Sequence, residues 1–317
     1  MRGVFLDTST VTDGDIDLGP INAALDACAF NTLTAPGDIA ATIHDADIVI
    51  SNKAVLDATA ISTARKLKLI CIAATGTNNV DLKAARAGNI DVCNVSAYAT
   101  PSVVEHVFML LLALNRRLTE HNAAVQRGDW QHATRFSMLD YPFRELHGQS
   151  LGIIGYGELG RAVATTARAF GMNVLVAERR GMPERPGRCA LDTLLASADV
   201  ISLHCPLTPA TENLLDMAAF RKMRSNAIVI NTARGGIVNE ADLLAALQAG
   251  VIAAAGIDVL ADEPPTAGNP LLTAQLPNLL VTPHVAWAAM NARQRLVDEI
   301  AGNIRAFIDG NPRNLVN

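Results

Sequence analysis

The sequence predicts an α/β chain with two doubly wound parallel sheets, and three observations carry that expectation. Short apolar runs alternate with Ala/Leu-rich helical segments along both halves of the chain, the grammar of βα units whose strands lie parallel. The run Leu151-Gly-Ile-Ile-Gly-Tyr-Gly-Glu-Leu-Gly160 reads as strand, tight turn and helix, with Gly155, Gly157 and Gly160 spaced as G-x-G-x-x-G. Such a turn lets the backbone approach a pyrophosphate while the helix behind it presents its N-terminus. Finally, the apolar strands of the second half lead into His204, Arg234, Asp258 and His284. In open α/β sheets the ligand crevice lies beyond the carboxyl ends of the strands, where these groups fall.

Taken in order, residues 3–6, 47–50, 67–73 and 90–93 read as the strands of the first unit. Between the last two, Asp81-Leu-Lys-Ala-Ala-Arg-Ala-Gly88 carries helix signals, with Asp81 as cap and Gly88 as terminator. Thr100-Pro-Ser-Val-Val-Glu105 opens a longer helix, because Thr100 can cap and Pro101 is tolerated in a first turn. A domain crossover is expected there. Residues 127–146 are polar and aromatic without a clean period, and Trp130, Phe136, Tyr141 and Phe143 need a surface to cover; a partner subunit would provide one. After the glycine turn, strands are expected at 172–177, 200–204, 227–232, 254–259 and 279–282. The final helix, residues 288–309, sets Leu296, Ile300, Ile304 and Phe307 on one face.

Bulk properties narrow the function. At 317 residues, 50% of them hydrophobic, the chain can bury a large core and is expected to form two domains. A net charge of −5 argues against a nucleic-acid or anionic-membrane binder. The apolar run at 107–114 is far short of the roughly 20 residues that span a bilayer, so it reads as a buried helix. The N-terminus lacks a signal peptide's features, which makes the cytoplasm the expected location. The five cysteines are scattered and form no Cys-x-x-Cys, and no His/Cys/Asp cluster has metal-site spacing. Free thiols and no metal are expected.

Alone, the glycine spacing can arise in any β-to-α turn. Here the predicted strand 172–177 follows it, and Glu178 comes 18 residues after Gly160, close to the spacing of about 20 for an acid that accepts from ribose hydroxyls. This context points to NAD. Glu178 would repel a 2′-phosphate, but Arg179 and Arg180 stand next to it and leave NADP open.

Asn231-Thr-Ala-Arg-Gly-Gly-Ile-Val238, Gly256-Ile-Asp-Val-Leu260, Asp262-Glu-Pro264 and Pro283-His284, downstream of the glycine turn, resemble the D-isomer-specific 2-hydroxyacid dehydrogenases over nearly the whole chain. Ala74-Thr-Gly-Thr-Asn-Asn-Val-Asp81, Leu139-Asp-Tyr-Pro-Phe-Arg-Glu-Leu146 and His284-Val-Ala-Trp-Ala288 are most similar to the glycerate dehydrogenase, or hydroxypyruvate reductase, branch. The resemblance implies a Rossmann NAD domain, residues 100–285, inserted in a flavodoxin-like substrate domain made of residues 1–99 and 286–317. It implies a homodimer and the reversible reduction of hydroxypyruvate and glyoxylate.

By matching position, the resemblance makes Arg234, Glu263 and His284 the catalytic set. A guanidinium fork suits a substrate carboxylate, imidazole suits proton transfer in both directions near neutrality, and a carboxylate can fix its tautomer. Each taken singly is ambiguous: Arg234 beside Gly235 and Gly236 reads as a surface cation, His284 as structural and Glu263 as a loop acid. Thr75 and Gly76 would line the substrate side. Thr100, Gly155, Gly157, Glu158, Leu159, Gly160, Glu178, Cys205, Pro206, Thr232 and Asp258 would touch the dinucleotide. A thiol nucleophile at Cys205 is set aside, since it sits at a strand end before Pro206 as in the family's nucleotide loop. Glu178 departs from the family's more usual aspartate. Two other functions stay open: the same chemistry on another 2-ketoacid, and an NAD-gated binding protein of corepressor type.

Overall fold

The computed structural model describes residues 1–179 and 181–317. The chain divides into two units, Met1–Ala99 with Trp287–Asn317, and Thr100–Ala286.

In the first unit, β1 (Arg2–Phe5), β2 (Ala27–Phe30), β3 (Ile48–Ser51), β4 (Leu69–Ile72) and β5 (Asp91–Cys93) form one parallel sheet. Their order is β2-β1-β3-β4-β5, the flavodoxin-like winding. Every residue of β3 and β4 is buried, as expected for parallel strands whose apolar runs are covered on both faces. Strand β2 was not foreseen. Its sequence, Ala-Cys-Ala-Phe, has no β-branched residue, and it lies at the sheet edge with no position fully buried, so neither propensity nor an apolar run marks it. The predicted caps of the helix Leu82–Ala87 are present: Asp81 accepts from the Lys83 and Ala84 amides and Gly88 ends the helix.

The last helix, Met290–Ile308, belongs to this first unit. Leu296, Ile300 and Ile304 are fully buried, as their spacing predicts. Polar ties fix its register, with Asn303 Nδ2 donating to the Asn94 carbonyl at 3.0 Å and Arg295 Nε to the Tyr98 carbonyl at 2.9 Å.

In the second unit, β6 (Ser150–Ile154), β7 (Asn173–Val176), β8 (Val200–Leu203), β9 (Ile228–Asn231), β10 (Ala254–Ile257) and β11 (Leu279–Val281) form a parallel sheet in the order β11-β10-β9-β8-β6-β7. The winding reverses between β6 and β8, which places a switch point directly above the glycine turn. The helix Thr100–Asn115 packs on β9 and β10 through Val107, Leu110, Leu111 and Leu114, so the apolar run at 107–114 is a core helix. No helix among the described residues is long and apolar enough to cross a membrane. Residues 127–146 form turns, with Phe136 93% exposed and Trp130 and Leu139 also exposed. Arg116 stacks over the Phe143 ring at 3.9 Å.

Candidate active site

The glycine turn is shaped by close backbone contact. Gly155 has φ +98°, and a Cβ there would lie 2.4 Å from the Cys205 nitrogen; at Gly160 a Cβ would lie 2.1 Å from the Gly155 carbonyl oxygen. Side chains at either position would force the β6 turn away from the end of β8 or from its own helix. Gly157 differs: it caps the helix Glu158–Ala169 and a Cβ there would meet no atom within 4 Å. Open space over exposed helix amides is what a phosphate needs. Leu159 is half-buried in the first turn of this helix, and the Thr100 hydroxyl donates to the Glu158 carboxylate.

The neighbouring strand ends also fit a dinucleotide. Beyond β9, the Thr232 hydroxyl is buried with no hydrogen-bond partner among the described residues, a costly state unless a ligand supplies the bond. Beyond β8, His204 Nε2 lies 2.8 Å from the Ser202 hydroxyl, while its Nδ1 is buried without a partner among the described residues. Burial pushes the His204 pKa down to about 4, so the ring is neutral at physiological pH. Burial likewise pushes the Cys205 thiol up to about 11, which leaves no thiolate for nucleophilic chemistry near neutrality. The Pro206 carbonyl accepts from the Thr211 hydroxyl at 2.6 Å.

Glu178, just past β7, is buried but not idle. Arg185 grips it with both ends of its fork, Nη2 donating to Oε1 at 2.6 Å and Nε to Oε2 at 2.7 Å. The Arg179 amide donates to Oε1 at 2.8 Å. Arg185 first and the Arg179 amide second hold the Glu178 pKa down to about 2. Arg180, half of the sequence case for NADP, lies outside the described residues.

Arg234, Glu263 and His284 are brought to three loops braced on one another. At the end of β9, buried Asn231 accepts from the Ala233 amide at 3.0 Å and donates to the Arg234 carbonyl at 2.9 Å, fixing the loop that carries the arginine. Arg234 is exposed and donates to the Ala233 carbonyl at 2.7 Å through Nη1. The next residue cannot carry a side chain: a Cβ on Gly235 would lie 1.9 Å from the Leu260 carbonyl carbon. Leu260 in turn donates its amide to Glu263 Oε1 at 2.9 Å, and Glu263 Oε2 lies 2.6 Å from His284 Nδ1. A carboxylate only accepts, so Nδ1 carries the proton and Nε2 is left for substrate.

His284 adopts φ +55°, a left-handed conformation uncommon outside glycine and asparagine. Asp258 holds it there. The His284 amide donates to the Asp258 carbonyl at 2.8 Å, and the Asp258 carboxylate accepts from the Val285 amide at 3.0 Å, the Ala286 amide at 2.9 Å and the Thr282 hydroxyl at 2.6 Å. His106 Nε2 stands 3.3 Å from the same carboxylate. Burial alone would raise the Asp258 pKa, but the bonds from His106, Thr282 and the two amides outweigh it and hold the carboxyl below the ordinary aspartate value.

Asn231, His106, Thr282 and Arg185 escaped the sequence reading in these supporting roles. Asn231 begins the Asn-Thr-Ala-Arg run and was the most accessible signal; the others become meaningful only once the sheet order sets them beside Asp258 and Glu178. Thr75 and Gly76 follow β4 in the first unit. The Thr75 hydroxyl donates to the Val95 carbonyl at 2.8 Å, and its carbonyl accepts from Asn94 Nδ2 at 2.7 Å.

Comparison with known proteins agrees with this architecture. Residues 108–286 match the sequence model of the D-isomer specific 2-hydroxyacid dehydrogenase NAD binding domain. The chain is 44% identical over 313 residues to a glycerate dehydrogenase of Methylorubrum extorquens, covering 99% of this chain and 98% of that protein. It is 37% identical over 323 residues to a hydroxypyruvate reductase of Blautia hydrogenotrophica, with both chains fully covered. Among solved structures, the TT0316 protein from Thermus thermophilus superposes with a TM-score of 0.87 at 33% identity over the full length of both chains.

Proposed function

Since the chain belongs to the D-isomer-specific 2-hydroxyacid dehydrogenases, we propose that it catalyses the reversible reduction of hydroxypyruvate, and of glyoxylate, to D-glycerate and glycolate. Family membership makes it an NAD-dependent oxidoreductase acting on the CH–OH group of D-2-hydroxyacids. The choice of hydroxypyruvate is supported by the names of its relatives and by the motifs at residues 74–81, 139–146 and 284–288.

The single observation that carries the chemistry is the 2.6 Å contact between His284 and Glu263. NADH held at the glycine turn would supply the hydride to the ketone carbon. The ketone oxygen must gain a proton as this happens, and His284 delivers it from Nε2. Glu263 fixes the proton on Nδ1 and balances the positive ring that exists before transfer. Arg234 grips the substrate carboxylate through its planar fork, which orients the adjacent ketone. Thr75 and Gly76 are assigned to the substrate. Gly155, Gly157, Gly160, Glu158 and Leu159 hold the pyrophosphate, with Thr100, Cys205, Pro206, Thr232 and Asp258 assigned to the rest of the dinucleotide and Glu178 to its adenosine ribose.

The working form is a homodimer in the cytoplasm, with no nucleic-acid or membrane partner. The dimer accounts for the exposed Trp130, Phe136 and Leu139, and the net charge of −5 argues against a nucleic-acid or anionic-membrane partner. A panel of 2-ketoacids with NADH consumption as readout tests the function, and hydroxypyruvate should give the highest kcat/KM. A higher value for another ketoacid would reassign the substrate.

A further inference from the structure

We propose that Arg185 sets cofactor specificity: it occupies the ribose acid Glu178 with one edge of its guanidinium and presents the other edge to a 2′-phosphate, so that the chain binds NADPH as well as NADH. The inference rests on placing the adenosine ribose at Glu178. A free acid at the end of this strand accepts from the two ribose hydroxyls and repels a phosphate. Here the carboxylate is already taken. Oε1 receives Arg185 Nη2 and the Arg179 amide, and Oε2 receives Arg185 Nε and, at 3.4 Å, the Arg185 amide. An ionised carboxylate offers about four lone-pair positions, so none remains for a ribose diol. A ribose hydroxyl would have to compete with a two-point, charge-assisted bond, the stronger kind.

Charge and exposure give the second half of the case. Arg188 Nη1 lies 3.7 Å from Glu178 Oε1, and its guanidinium carbon is 5.8 Å from the ring centre of Tyr156, inside the glycine turn. Two guanidinium groups therefore face the Glu178 carboxylate. The Glu178 side chain is 2% exposed, whereas that of Arg185 is 56% exposed. The acid is the fixed member and the arginine the solvent-facing one, free to present donors to an anion. The guanidinium edge that Glu178 does not use, Nη1 with the second hydrogen of Nη2, can meet a phosphate at two points, which a lysine would not reproduce.

The test is binding of NADH and of NADPH by calorimetric titration without ketoacid. Wild type should bind the two with dissociation constants within about tenfold of each other. Arg185→Ala should weaken NADPH by about tenfold or more and leave NADH unchanged or tighter, because the ribose then meets an unmasked acid. Arg185→Lys, which keeps the charge and loses the fork, should fall between. Glu178→Gln, which loosens Arg185 from its anchor, should weaken NADPH and leave NADH within a few-fold. The proposal is overturned if Arg185→Ala shifts both constants by the same factor, or if wild type prefers NADH by more than about a hundredfold. The proposal is likewise overturned if Glu178→Gln moves the ratio and Arg185→Ala does not, since the acid alone would then set the preference. If neither variant moves either constant, the ribose placement fails and takes the proposal with it.

Discussion

His284 Nδ1 stands 2.6 Å from Glu263 Oε2, while the other oxygen of that carboxylate holds the Leu260 amide. His284, the proposed acid–base group, is thereby referenced to the backbone at the end of β10, and Asp258 on the same strand end clamps the amides just after it. The ring is held in one tautomer and one place before substrate arrives, which is the condition for proton transfer to be fast.

Gly235→Ala tests whether the arginine loop and the Glu263 loop act as one support. A Cβ would sit 1.9 Å from the Leu260 carbonyl carbon, against backbone that cannot rotate away. The variant should lose about tenfold or more in kcat, with the NADH dissociation constant altered far less. Native-like turnover would mean that the two loops adjust independently.

Arg234→Lys keeps the charge and removes the planar fork. The expected result is a KM for hydroxypyruvate raised by about tenfold or more, with NADH affinity unchanged. Steady-state kinetics at saturating NADH reads this directly, and an unchanged KM would place the substrate carboxylate elsewhere.

His204→Gln probes the sign of a buried titration. In the folded chain the His204 pKa is about 4, below its ordinary value of 6.5. Above pH 6.5 both folded and unfolded states are neutral, and the residue adds no slope. As pH falls below 6.5 the unfolded chain takes up a proton that the folded chain refuses until about 4. Wild type therefore loses up to about 3 kcal/mol through this residue across that window. Urea unfolding at pH 7 and pH 4.5 should show the variant gaining on wild type at the lower pH. A constant difference between the two proteins would contradict the buried, neutral assignment.

Much of this was legible in the chain because parallel strands with both faces covered are apolar throughout, and β3, β4, β8, β9 and β10 announce themselves. The glycine turn was legible because its spacing answers to backbone contacts that admit no Cβ at Gly155 and Gly160. Strand β2 was hidden because an edge strand of alanines and a cysteine has no such signature. The Asp258 clamp was hidden for a different reason. Its partners, His106, Thr282, Val285 and Ala286, lie on a helix, a strand end and a loop whose proximity is a product of sheet order. Likewise, the spacing from Gly160 singles out Glu178, whereas the grip of Arg185 depends on how the loop after β7 folds back.

The most direct test is reduction of hydroxypyruvate by NADH with His284→Ala, measured beside NADH binding. The variant should lose about a hundredfold or more in kcat while binding NADH with a near-native dissociation constant, because the proton donor is gone and the dinucleotide turn is untouched. Turnover within a few-fold of wild type would contradict the assignment of His284 as the acid–base group.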